Sequence, residues 1–185
     1  DNDTFIGKAE PLLQQFFDGN NDLYPFFLPG VPFLDGKTAR YDSILGRGSF
    51  GIIFSGAIST STENGASQEV VFKELYIAGH RAYCNFIQEV TMMKRFRSQY
   101  VVQLMGVCRE FPDSSRRKEL TGYEGRNNLV MVIERAPLGD LQALREDLVG
   151  KRWELKVKIA LDVARALQSI HLADGVKLVH RDVRS

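Results

Sequence analysis

The sequence predicts an α+β fold, in which a five-stranded antiparallel sheet with one packed helix precedes the first helices of a helical region. Short β-branched and aromatic runs recur between residues 40 and 133, with turn-forming residues between them. Apolar residues at three- and four-residue spacing mark helices at residues 79–97 and 153–173. The predicted organisation is an extension or linker at 1–39, a sheet-based lobe at 40–136 and the start of a helical lobe at 137–185.

Composition excludes several classes of protein. The 185 residues are 44% hydrophobic and 25% charged, which is ordinary for a soluble globular protein. A net charge of +1 gives no electrostatic basis for binding nucleic acid. No apolar run approaches the about 20 residues of a membrane span, so we expect none in this segment. Cys84 and Cys108 lack metal-ligand spacing, which predicts reduced thiols, a cytoplasmic location and no metal site.

The first 39 residues carry two weak patterns. Residues 9–17 predict a short amphipathic helix with Leu12, Leu13, Phe16 and Phe17 on one side. Residues 25–33 are apolar but are interrupted by three prolines, so we expect no regular helix there. That stretch is interpreted as an extended segment across a domain surface, or as a linker from an upstream domain. Because the chain begins with Asp1, we expect it to be a fragment of a longer protein.

A glycine-rich stretch separates the first two predicted strands. It reads Leu45-Gly46-Arg47-Gly48-Ser49-Phe50-Gly51-Ile52-Ile53. Glycines lack a Cβ, so the backbone can turn sharply and bring its N–H groups to phosphate oxygens, with Phe50 capping the tip. Residues 52–58 predict a strand, whereas the glycines of a dinucleotide-binding fold open a helix. The alternative is a glycine-rich hairpin without a ligand.

A lysine lies near the end of the third predicted strand, residues 69–76. Alternation places Val71 and Lys73 on one face, and Val70, Phe72 and Glu74 on the other. Lys73 on the concave face under the glycine stretch would meet phosphates. The alternative is a lysine side chain in solvent, which is the commoner state of this residue type.

A carboxylate lies within the apolar face of the helix predicted at residues 79–97. Glu89 is flanked on that face by Phe86 and Met93, and a buried carboxylate is costly unless it is paired. We expect Lys73 to be its partner. The alternatives are Glu89 in water at the rim, or paired with Lys94 or Arg97.

The remaining elements complete the predicted fold. Residues 101–108 and 129–133 predict the fourth and fifth strands, with a polar loop at 114–128. Pro137 and Gly139 predict a hinge, and Asp140 an N-cap for a helix at 141–148. The apolar stripe of residues 153–173 is broad, which predicts a buried helix.

The ordered motifs of residues 40–185 resemble those of a protein kinase. The glycine-rich stretch is similar to the kinase Gly-rich loop, Lys73 to the strand lysine and Glu89 to the helix-C glutamate. Ile133 resembles the gatekeeper, residues 134–136 the adenine-contacting hinge, and His180-Arg181-Asp182 the catalytic-loop motif. Residues 136–141 together with the final six residues resemble tyrosine-kinase-like serine/threonine kinases, particularly the Roco group.

The resemblance implies ATP-dependent transfer of the γ-phosphate to a protein hydroxyl. Lys73 would bind the α- and β-phosphates, Glu89 would fix Lys73, and Asp182 would orient the hydroxyl and accept its proton. The implied nucleotide-binding residues are Leu45, Gly46, Arg47, Gly48, Ser49, Phe50, Gly51, Ile52, Ile53, Val71, Lys73, Ile133, Glu134 and Ala136.

The sequence departs from the kinase pattern in two respects. It ends before the catalytic-loop asparagine and the D-F-G motif, so the resemblance places the Mg²⁺ ligands beyond its end and we expect the chain itself to be inactive. Arg184 replaces the usual lysine, which leaves serine/threonine versus tyrosine specificity open. The alternatives are a pseudokinase or nucleotide-binding scaffold, and a non-kinase interaction module with coincidental glycines.

Overall fold

The computed structural model describes residues 11–18, 20–35, 39–48, 51–59, 67–75, 80–109, 118–120, 129–142, 149–150 and 153–172. The chain divides into two compact units. The first comprises Asp1–Met93 and Leu104–Arg135, and the second comprises Lys94–Gln103 and Ala136–Ser185.

The first unit is built on a five-stranded antiparallel sheet. Its strands are β1 (Ala39–Gly48), β2 (Gly51–Ser59), β3 (Ser67–Leu75), β4 (Leu104–Cys108) and β5 (Val130–Glu134). The order across the sheet is β1-β2-β3-β5-β4, and every neighbouring pair is antiparallel. The five predicted strands are thereby confirmed, and with them the α+β fold class.

Each face of the sheet carries its own apolar core, because successive side chains of a strand point to opposite faces. The helix face, named for α3 (His80–Arg95), presents Leu75, Met131 and Ile133 to the buried Phe86 and Val90 of that helix. The opposite face has a separate core that includes Ile52, Phe54, Val70, Phe72 and Val132. The predicted alternation along β3 is confirmed, since Val70 and Phe72 are buried on the opposite face while Val71 contacts the helix-face core.

The N-terminal segment belongs to the same core. Residues 11–17 form helix α1, in agreement with the predicted amphipathic helix. Leu13, Phe16 and Phe17 are buried, whereas Leu12 is exposed. The expectation of an extended chain at residues 25–33 is wrong for α2 (Tyr24–Phe27), because Pro25 sits in its first turn, where no intrahelical N–H donor is required. A single bridge pairs Phe33 with Val107 of β4.

The two cysteines have contrasting environments. Cys108 is buried at the end of β4, in the core of the opposite face, whereas Cys84 is exposed on α3. Neither forms a disulfide.

The second unit contains α4 (Trp153–His171), which matches the helix predicted at residues 153–173. The prediction that this helix is buried is wrong, since none of its residues is buried and Trp153 is 66% exposed. A helix is buried only when a second layer of side chains covers its apolar stripe, and the described residues provide no such layer. In the predicted helix at 141–148, residues 141–142 form a turn and the remainder lies outside the described residues. No helix in the described ranges is long and apolar enough to cross a membrane.

Candidate functional site

Lys73 and Glu89 form an ion pair on the helix face of the sheet. The Lys73 Nζ donates to Glu89 Oε1, which joins β3 to α3 across 16 residues of sequence. Both side chains are partly accessible, at 28% for Lys73 and 33% for Glu89. The predicted pairing is therefore confirmed over the local alternatives, and it places an ammonium group within reach of solvent-borne ligands.

An accessible apolar surface lies beside this pair. In the sheet register, Ile53 of β2 is directly opposite Lys73, so both side chains share the helix face. Ile53 is 36% exposed, whereas its neighbours Ile52 and Phe54 are buried on the opposite face. Val71 is half-buried on the same face as Lys73. Apolar side chains next to an ammonium group suit a ligand with a flat apolar part and an anionic part.

No contact among the described residues requires glycine at positions 46 and 48. Neither has a positive φ, and a Cβ added to either would meet no described atom within 4 Å. Gly51 is different, because a Cβ there would overlap the Glu74 carbonyl oxygen and lie 2.9 Å from the Leu75 Cα. Close packing of β2 against β3 thus explains Gly51, whereas no side chain or backbone of the described residues crowds Gly46 or Gly48.

The structure places other predicted binding residues on both faces of the sheet. Gly46 pairs in register with Ile53, which in turn pairs with Lys73. Ile133 pairs with Val71 on the same helix face. Leu45, next to Gly46, is exposed. Arg47 pairs in register with Ile52 on the opposite face, where its guanidinium donates to the Leu120 carbonyl at 2.9 Å.

The remaining predicted residues include one in the sheet, one in the second unit and three that the structure does not describe. Glu134 pairs with Val70 at the end of β5, and Ala136 lies in the second unit. Ser49, Phe50 and Asp182 lie outside the described residues.

Two polar arrangements in this unit were not predicted. The Ser43 and Ser55 hydroxyls are 2.7 Å apart. These two serines pair in register with each other, and Ser55 pairs with Val71 on the helix face. Arg109, directly after β4, is 5% exposed and donates to three oxygens of the N-terminal segment. No sequence signal distinguishes a single arginine that follows a strand, so Arg109 could be found only from the structure.

The described residues include no group of three or more His, Cys, Asp or Glu side chains suited to a metal ion. A paired ammonium, two glycines without described atoms nearby and an accessible apolar surface are chemically compatible with a ligand that has phosphate groups and a flat base.

The sequence is similar to those of known protein kinases. The family model described as protein tyrosine and serine/threonine kinase matches residues 39–185. A receptor-like protein kinase of Arabidopsis thaliana is 28% identical over 154 residues, which is 80% of this chain and 14% of the relative. Receptor-like cytoplasmic kinase 176 of Oryza sativa subsp. japonica is 30% identical over 161 residues, covering 80% of this chain and 36% of the relative. A protein named as an LRR receptor-like serine/threonine-protein kinase of Arabidopsis thaliana is 28% identical over 158 residues, with coverage of 82% and 15%.

The chain thus spans between 14% and 36% of the length of these relatives. The matched range includes the sheet, α3 and the Lys73–Glu89 pair. The chain belongs to the protein tyrosine and serine/threonine kinase family.

Proposed function

We propose that this chain is the nucleotide-binding part of a serine/threonine protein kinase of the tyrosine-kinase-like group. The observation that carries the proposal is the Lys73–Glu89 ion pair on an accessible face of the sheet, beside Ile53 and the glycine hairpin. The relative named as a serine/threonine-protein kinase supports the choice of acceptor hydroxyl. The relative named as a cytoplasmic kinase supports a cytoplasmic location.

The predicted binding residues would bind and orient ATP. The adenine ring would pack on Leu45, Ile53, Val71 and Ile133, and backbone groups at Glu134 and Ala136 would bind its edge. The Lys73 ammonium would neutralise charge on the α- and β-phosphates, with Glu89 holding its position. Backbone N–H groups of residues 46–51 would bind the β- and γ-phosphates. Mg²⁺ would neutralise the developing charge on the phosphates, with ligands outside the described residues.

The acceptor would be a protein hydroxyl. We place Asp182 as the residue that orients this hydroxyl and accepts its proton as the γ-phosphate is transferred. In this proposal residues 40–136 and 137–185 correspond to the two lobes of the kinase domain.

The test measures binding and transfer in the full-length protein. Mg·ATP at about 100 times its Kd should add roughly 2.7 kcal/mol to the unfolding free energy, seen as a rise in Tm. Lys73→Met should reduce γ-phosphate transfer from radiolabelled ATP by about 10²-fold or more without unfolding the protein. The matched control is Lys158→Met, at an exposed position on α4.

The outcomes separate the candidate functions. Phosphoserine or phosphothreonine in the product supports the proposed specificity, and phosphotyrosine contradicts it. A Tm shift without transfer indicates a pseudokinase or nucleotide-binding scaffold. Full transfer activity in Lys73→Met would refute the role given to that residue.

A further inference from the structure

The N-terminal segment packs on the part of α3 that comes before Glu89 in the sequence. The Phe17 ring stacks on Tyr83 with ring centroids 4.0 Å apart and meets the Phe86 ring edge-on at 5.8 Å. The Gln14 amide adds a 3.2 Å hydrogen bond to the Tyr83 hydroxyl. Since Phe86 and Glu89 are three residues apart, they are neighbours on the helix surface. Helix α1 therefore contacts α3 within one turn of the carboxylate that binds Lys73.

A buried arginine fixes the end of α1 to the sheet. Arg109 donates to the Phe16 carbonyl at 2.6 Å, the Phe17 carbonyl at 3.0 Å and the Asn21 side-chain oxygen at 2.9 Å. Its guanidinium also lies 5.4 Å from the centre of the Phe16 ring. The last carbonyls of a helix lack intrahelical partners and carry partial negative charge, so a cation there is favourable. Arg109 thus joins the C-terminal end of α1 to the end of β4.

Aromatic packing extends this attachment along the segment. Phe16 stacks on Phe27 with ring centroids 5.1 Å apart, and Tyr24 meets Phe33 edge-on at 4.8 Å. Leu28 and Val31 are buried in the same core as Phe86 and Val90 of α3. One continuous core therefore includes the segment, α3 and the sheet that carries Lys73.

We propose that residues 11–18 and 20–35 form a brace that holds α3 where Glu89 reaches Lys73, and that Arg109 is a positioning residue acting through this brace. The inference rests on the proposed function, because the brace would affect nucleotide binding only through the Lys73–Glu89 pair. Displacement of the brace would let α3 shift, and Lys73 would then bind phosphates less tightly. The segment preceding the kinase-family match thereby becomes a determinant of nucleotide affinity.

The test is a double-mutant cycle in the full-length protein, with the Kd for Mg·ATP measured by titration calorimetry. Arg109→Met removes the hydrogen bonds to α1 but keeps a long side chain. We expect it to raise the Kd about 2- to 30-fold, the range of coupling reported for packed elements. In a Glu89→Gln background the same change should have no further effect. Hydrogen exchange in α3 should increase in Arg109→Met.

Three further variants keep the test decisive. Arg40→Met removes an exposed arginine of β1 and should leave the Kd unchanged. If Arg109→Met does not fold, Arg109→Lys and Asn21→Ala enter the same cycle, and each should give a smaller rise in Kd that disappears in Glu89→Gln.

The outcomes distinguish this inference from the proposed function. A rise in Kd of equal size with and without Glu89, or an unchanged Kd in every folded variant, overturns the brace. If Lys73→Met and Glu89→Gln leave Mg·ATP affinity unchanged, the proposed function fails. If those two weaken binding and the Arg109 variants do not, only the brace fails.

Discussion

Gly48 and Gly51 lie opposite each other at the closed end of the β1–β2 hairpin, yet they are glycines for different reasons. A side chain at Gly51 would collide with the backbone of β3, whereas a Cβ at Gly48 would meet no atom of the described residues within 4 Å. Contacts within the fold therefore explain Gly51, whereas the described contacts do not explain Gly48.

Alanine substitution at these two positions should give opposite results. Gly51→Ala should lower the unfolding free energy by about 1–3 kcal/mol, because the added methyl group forces β2 and β3 apart. Gly48→Ala should change it by no more than about 0.5 kcal/mol, yet weaken ATP binding by placing a methyl group where we expect phosphates. Chemical denaturation and ATP titration measure the two effects, and a Gly48→Ala variant as unstable as Gly51→Ala would contradict this assignment.

At the residue scale, site residues could be predicted only where a sequence pattern assigns each side chain to one face of an element. Alternation along β3 correctly assigned Val71 and Lys73 to one face, because strand side chains alternate strictly. The glycine stretch, taken as a contiguous block, did not distinguish Ile53 from Ile52, whose side chain is in the other core. The Arg109 contacts join residues about 90 positions apart, and no local pattern encodes such a distance.

At the scale of elements, the N-terminal segment is part of the folded first unit. Phe16 of α1 is fully buried and stacks on Phe27 of α2, whereas Phe26 of α2 is 66% exposed. The prolines predicted a break in helical structure but not a short helical turn, since Pro25 is compatible with the first turn of a helix.

These two phenylalanines provide a matched pair for the stability of the segment. Phe16→Ala should lower the unfolding free energy by about 3–5 kcal/mol, the cost of removing a fully buried aromatic ring. Phe26→Ala should change it by only about 0.5 kcal/mol, as expected for an exposed side chain. Denaturant unfolding of both variants measures the difference. Equal effects would show that the segment is not packed as described.

At the scale of the whole molecule, periodicity identified apolar faces but not what covers them. The stripe on α3 is buried against the sheet, as predicted, while the similar stripe on α4 is largely exposed. Hydrophobic spacing measures the amphipathicity of one helix, whereas burial depends on a second element whose position the spacing does not specify.

A buried thiol and a buried phenol make the stability of the molecule sensitive to alkaline pH. Burial raises the pKa of the Cys108 thiol from 9.0 to about 12, and burial also raises the pKa of the Tyr24 hydroxyl. Above pH 9 the unfolded chain loses the Cys108 proton while the folded chain keeps it, so unfolding becomes more favourable as pH rises.

We therefore expect the unfolding free energy to fall progressively between pH 9 and pH 12. Denaturant titrations across this range should show a shallower fall in Cys108→Ala than in the wild type, because Tyr24 alone of the two groups would then contribute. A slope unchanged by Cys108→Ala would contradict the assignment.

The contrast between the two cysteines has a practical consequence. A maleimide dye added to the native chain at neutral pH should attach at Cys84 alone, since the Cys108 thiol is enclosed and keeps its proton. Cys84 lies little more than one helical turn before Glu89. The molecule therefore offers a natural attachment point for a fluorophore, through which rotation of α3 could be followed optically in the unmutated protein.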